Sequence, residues 1–67
     1  MKTYVTFGQG HTHRINGKTF DTDCVALLDG GRDAVFETFG RKWCFEYSEE
    51  HFDKIDMKYF PRGVIEV

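Results

Sequence analysis

The sequence predicts a small α+β domain: a mainly antiparallel sheet of about four to five strands, with one or two short helices packed on one face. Three observations predict it. Short segments alternate apolar and polar residues, the period of a half-buried strand. Asn16-Gly17 stands between two such segments and is the strongest short hairpin signal, because a type I′ turn needs positive φ at both central positions. Elsewhere apolar residues recur at helical spacing between glycine or serine boundaries.

The elements follow in order. Lys2 to Phe7 alternates, with Val5 and Phe7 opposite Tyr4 and Thr6, and reads as a strand ended by Gly8-Gln9-Gly10. His11 to Ile15 and Lys18 to Phe20 form the hairpin, in a register that faces Ile15 with Lys18, Arg14 with Thr19 and His13 with Phe20. Cys24 to Leu28 is apolar enough for a central strand, and Asp29-Gly30-Gly31 breaks it. Arg32 to Phe39 fits a short helix with Val35, Phe36 and Phe39 on one side, closed by Gly40. Trp43 to Tyr47 reads as a strand with Trp43, Phe45 and Tyr47 on one face. Ser48 is a good N-cap for a second short helix, whose Phe52, Ile55 and Tyr59 fall at i, i+3, i+7. Phe60-Pro61-Arg62-Gly63 makes a tight turn, and Val64 to Val67 is a last strand that pairs with an earlier one.

Sixty-seven residues accommodate one domain, spanning 1–67. A chain this short buries only about 60% of the surface exposed when it is unfolded, so its core must be dense. Seven Phe, three Tyr and one Trp supply that density, and with 40% hydrophobic residues they exclude a disordered chain. The net charge is −2 with both signs interspersed, which argues against nucleic acid as the partner. No apolar run approaches the roughly 20 residues of a membrane span, and Met1 to Val5 lacks the apolar stretch of a signal peptide. The expected location is the cytoplasm. Cys24 and Cys44 fit no CxxC spacing and read as reduced thiols buried as small hydrophobes.

Tyr4-Val5-Thr6-Phe7-Gly8, the Val25 to Leu28 strand before a short helix, Phe39-Gly40-Arg41-Lys42-Trp43, and Tyr59-Phe60-Pro61-Arg62-Gly63 together span most of the chain. As a set they resemble small uncharacterised proteins encoded by bacteriophages and prophages. The resemblance implies no activity, cofactor or catalytic residue. It implies a setting: an accessory protein acting inside the bacterial host, where such proteins inhibit a host enzyme or defence component or sequester a signal.

Few residues point to chemistry. His11 and His13, two apart on a strand, project to one face, and Cys24, His51, Asp21 or Asp23 would have to complete a zinc site. No second ligand pair stands at metal spacing, so the reading is no metal and no cofactor. Leu28-Asp29-Gly30-Gly31-Arg32 sets glycines between strand and helix, where backbone N–H groups hold anions, but the spacing matches no nucleotide motif and Asp29 and Asp33 oppose a phosphate. Catalytic signatures such as GxSxG and HExxH are absent, and the chain reads as no enzyme.

Binding surfaces are the stronger reading. Arg62, on a turn made rigid by Pro61 and flanked by Tyr59 and Phe60, suits a carboxylate or phosphate partner, with Arg14, His11 and His13 on the hairpin as further anchors. An alternative acidic interface runs along Glu49, Asp53 and Asp56, aligned at i, i+4, i+7 on the second helix away from the Phe52 stripe. The expected function is therefore inhibition of a host protein by binding. The alternatives are a binder of a small anionic, nucleotide-like ligand and a structural component of the phage particle. Unpaired strand edges and abundant aromatics further predict a homodimer.

Overall fold

Valine, leucine and threonine at alternate positions build the centre of the molecule. In the computed structural model, which describes residues 1–67, strands β1 (Lys2–Val5), β2 (His13–Ile15), β3 (Lys18–Phe20) and β4 (Val25–Asp29) precede helix α1 (Arg32–Phe39). Strand β5 (Glu46–Ser48), two 3₁₀ helices (Glu49–Lys54 and Met57–Tyr59) and β6 (Val64–Glu66) follow. The large sheet has the order β5-β1-β4-β6, and β2 and β3 form a separate ribbon. β1 runs antiparallel to both β4 and β5, whereas β6 pairs in parallel with β4. The architecture is the α+β class that the pattern predicts.

The core lies between α1, the hairpin and one face of the sheet. Val5, Ala26 and Leu28 from the sheet meet Val35 and Phe39 from α1, with Phe7, Phe20 and Cys24 closing the side. Three rings lock this corner: Phe39 packs edge-on against Phe7 at 5.0 Å and Phe20 at 5.6 Å. Such pairs add about 0.5–1.5 kcal/mol each beyond the area they bury. The opposite face of the sheet carries Tyr4, whose ring lies 4.4 Å from Phe52 on the first 3₁₀ helix. Val25 and Ala26, successive residues of β4 that point to opposite faces, are both fully buried.

The hairpin has the register expected: His13 faces Phe20, Arg14 faces Thr19 and Ile15 faces Lys18. Asn16 (φ 52°) and Gly17 (φ 76°) supply the two left-handed residues of the turn. Helix α1 has the expected bounds. Gly30 permits its start, since a side chain there would place a Cβ 2.7 Å from the Ala34 Cβ.

Four expectations are corrected. β1 stops at Val5, although Thr6 and Phe7 stay buried. Phe36 does not join Val35 and Phe39 in the core; it is 40% exposed and packs on Trp43. The Trp43–Tyr47 strand is reduced to Glu46–Ser48 because the chain bulges before it. The Cys44 N–H donates to the Thr6 carbonyl while the Thr6 N–H donates to the Phe45 carbonyl, so two residues oppose one. That extra residue reverses the alternation: Trp43 packs against the core, while Phe45 sits with Tyr47 beyond it. Finally, the second helix is 3₁₀ and breaks at Ile55, so only Ile55 of the expected stripe is buried. Phe52 is half-buried and Tyr59 is 67% exposed.

Candidate functional site

The turn Phe60-Pro61-Arg62-Gly63 forms as expected, with the Gly63 N–H donating to the Phe60 carbonyl and Gly63 at φ 75°. Its arginine faces inward along the chain. Arg62 Nη2 donates to the Thr19 carbonyl at 2.8 Å, lies 2.9 Å from Asp23 Oδ1, and approaches the buried Cys24 Sγ at 3.7 Å. Asp23 Oδ1 is closed to solvent and has no in-line donor, so its contact with Arg62 is an ion pair. The guanidinium holds the Asp23 carboxyl below its ordinary value. Burial pushes the Cys24 thiol up.

The structure does not gather the other anchors around Arg62. Arg14 is exposed on the hairpin, opposite Thr19. Tyr59 is open to solvent with Lys58 Nζ 5.2 Å from its ring centre, and Phe60 is half-buried. His11 and His13 have separate tasks. His11 Nδ1 accepts from the Gly8 N–H at 3.0 Å, whereas His13 Nε2 donates to the Lys42 carbonyl at 2.7 Å and packs on Phe7 and Phe39. No three His, Cys, Asp or Glu side chains are grouped to hold a metal ion. Glu49, Asp53 and Asp56 are exposed but share no helix face, because three residues per turn separate Glu49 from Asp53. Asp56 instead caps the next 3₁₀ helix by accepting from the Lys58 N–H.

The sequence predicts unpaired strand edges, and the two edges of the sheet differ sharply. Along β6, Lys18 reaches over from the hairpin and donates to the Glu66 carbonyl at 2.7 Å. β5, at the other edge, pairs with β1 alone and leaves its outer side open. Aromatic residues flank that open side. Phe45 is 60% exposed and stacks toward Tyr47 at 6.4 Å on one side. On the other, Phe36 and Trp43 meet edge-on at 5.4 Å beneath the Arg32 guanidinium.

No family model, curated protein or solved structure matches this chain. The site is therefore read from its own geometry.

A cleft of about 470 Å³ opens at the inner end of this edge, between the start of β1, the start of α1, β5 and the first 3₁₀ helix. Lys2, Arg32, His51 and Lys54 line it with Thr3, Ser48 and Tyr47, and Glu46 is its single acid. Arg32 stands 3.4 Å from Glu46, and Lys2 is held by Asp29 at 2.8 Å outside the cleft. Lys54 has no ion-pair partner, and His51 Nδ1 shares a hydrogen bond of 3.2 Å with Ser48 Oγ. The clue in the sequence was weak: these residues come from three separate stretches of the chain, and only the fold unites them. No helix is long and apolar enough to cross a membrane.

Proposed function

We propose that this chain is a non-enzymatic binding protein that engages another protein by adding an extended partner strand to β5. The reading that best accommodates the phage resemblance is an accessory protein that binds and inhibits a host protein. One observation carries the choice of surface: β6 has a lysine of the hairpin on its backbone, and β5 has no covering segment. An open edge offers unpaired N–H and C=O groups that a partner strand satisfies, with alternate side chains giving selectivity. Exposed Phe45 and the Phe36–Trp43 pair supply apolar contact on either side, the residue types that dominate binding energy.

The test places a photoreactive benzophenone residue at position 45 and, separately, at position 59, in cells of the bacterial host. A covalent adduct with one host protein from position 45, together with slowed exchange of the β5 amides on adding that protein, supports the reading. Adducts from position 59 alone move the surface to the Tyr59-Phe60-Pro61-Arg62 side. Adducts only between copies of the chain would make β5 a homodimer interface instead.

A further inference from the structure

The cleft beside β5 has a charge character opposite to that of the molecule. The chain carries −2, yet three of the ten residues lining the cleft are Lys or Arg, a fourth is His51, and only Glu46 is acidic. The cations are not equivalent. Lys2 is committed to Asp29, and the resulting ion pair raises its pKa. Arg32 is shared between Glu46 and the Phe36 and Trp43 rings. Lys54, in contrast, faces the cleft with no counterion, and His51 stands one 3₁₀ turn before it on the same short helix. Ser48 and Thr3 add hydroxyl groups to the lining, and Tyr47 adds a ring.

A cavity of this size falls in the range used for small molecules, although its lining is more polar than most. An uncompensated cation in a concave wall favours an anion, because field lines focus there and solvent screens less than on a convex surface. Lys54 supplies the uncompensated charge, and His51, Arg32 and the Ser48 and Thr3 hydroxyl groups supply donors for the several acceptor oxygens of a phosphate group.

We propose that this cleft binds a phosphate monoester. Lys54 and His51 take the phosphoryl oxygens, Arg32 exchanges part of its contact with Glu46 for the ligand, and Tyr47 meets the ring of the ester group. This site is independent of strand addition at β5, since the ligand contacts side chains at the inner end of the edge and not its open backbone.

The experiment titrates adenosine monophosphate, inorganic phosphate and acetate separately into the isotope-labelled protein and follows amide and side-chain resonances. The expected result is saturable binding of both phosphates, tighter for the nucleotide, with shifts centred on Ser48, His51, Lys54 and Arg32, and no saturation by acetate. Lys54→Ala combined with His51→Ala should weaken nucleotide binding about tenfold or more. Phe45→Ser should leave it unchanged, which separates this proposal from the docking of a partner strand. Preference for inorganic phosphate over the ester would remove Tyr47 from the site and overturn the monoester assignment. Absence of saturation by either phosphate, equal response to acetate, or shifts on wild-type protein that map elsewhere would overturn the site itself.

Discussion

Asp23 Oδ1 and Arg62 Nη2 stand 2.9 Å apart, and the same arginine nitrogen donates to the Thr19 carbonyl. Backbone bonds reinforce the join: the Arg62 N–H donates to the Asp23 carbonyl and the Val25 N–H donates to the Gly63 carbonyl. The turn before β6 is therefore fastened to the start of β4 and the end of β3. Arg62→Ala should lower the melting temperature, whereas Arg14→Ala, on the exposed face of the hairpin, should leave it unchanged. Equal melting temperatures for the two variants would show that the backbone bonds alone secure the turn.

The pH dependence of stability has two limbs. Asp23 is depressed by Arg62 and Asp29 by Lys2, so each carboxylate stabilises the fold above its unfolded pKa. That contribution is lost as pH falls below about 4 and through the lower folded values. Lys2 and Cys24 are raised, Lys2 by Asp29 and Cys24 by burial, and their contribution is present below the unfolded values and lost as pH rises. Urea midpoints measured from pH 2 to 11 should be flat near neutrality, fall at low pH, and begin a second fall above about pH 9. Cys24→Ala should delay the second fall relative to wild type; an unaltered alkaline limb would assign it to Lys2 alone.

Cysteine reactivity should divide by position. Both are unbonded thiols, but only Cys24 is buried as expected, beneath Arg62; Cys44, just before the shortened strand β5, is exposed. A thiol-specific chromogenic reagent should label Cys44 at once and Cys24 only after denaturant is added. Fast labelling of both in native buffer would mean that the β3–β4 corner opens readily.

Phe20 is the largest fully buried side chain, held against Phe7 and Phe39. Phe20→Ala should cost about 3–5 kcal/mol, a large share of the stability of any small domain. The variant should be largely unfolded by circular dichroism at 37 °C, while Phe20→Leu stays folded. A cooperative transition near that of wild type for the alanine variant would show that the cavity collapses.

Gly17 holds φ at 76°, where a Cβ brings strain but meets no neighbour. Gly17→Ala should therefore destabilise by about 1–2 kcal/mol through backbone conformation alone. Chemical denaturation should show an unchanged slope with a lower midpoint; a changed slope would indicate altered compactness.

Local rules made some elements legible. Asn16-Gly17 fixed the hairpin register because turn geometry acts over two residues. Gly30, Gly31 and Gly40 bounded α1 for the same reason. The bulge at Cys44-Phe45 escaped, since it depends on Thr6 across the ladder and no nearby residue signals it. The spacing of Phe52, Ile55 and Tyr59 fitted an α-helix, yet the segment winds as 3₁₀, with Phe52 packed on Tyr4 across the sheet. Arg62 was singled out as an anchor for a partner, whereas its guanidinium is engaged within the chain by Asp23, a residue remote in sequence. The cleft was illegible for a similar reason: Arg32, Glu46 and Lys54 carry no common motif and meet only through the sheet order.

The pairing of β6 with β4 has a consequence for how the molecule is made. The β2–β3 ribbon closes over a two-residue turn and should form within roughly 1–10 μs. Every ladder of the large sheet joins distant stretches: β1 waits for β4 and β5, and β4 waits for β6. Closing those loops costs entropy before any contact rewards it, so the sheet should assemble late. On the ribosome, β4 emerges long before the strand that covers its second side. Until β6 arrives, Val25, Ala26 and Leu27 present a bare apolar flank, the kind of transient surface that chaperones recognise. Pulsed hydrogen exchange during refolding should find the hairpin amides protected first and those of β4 protected together with β6.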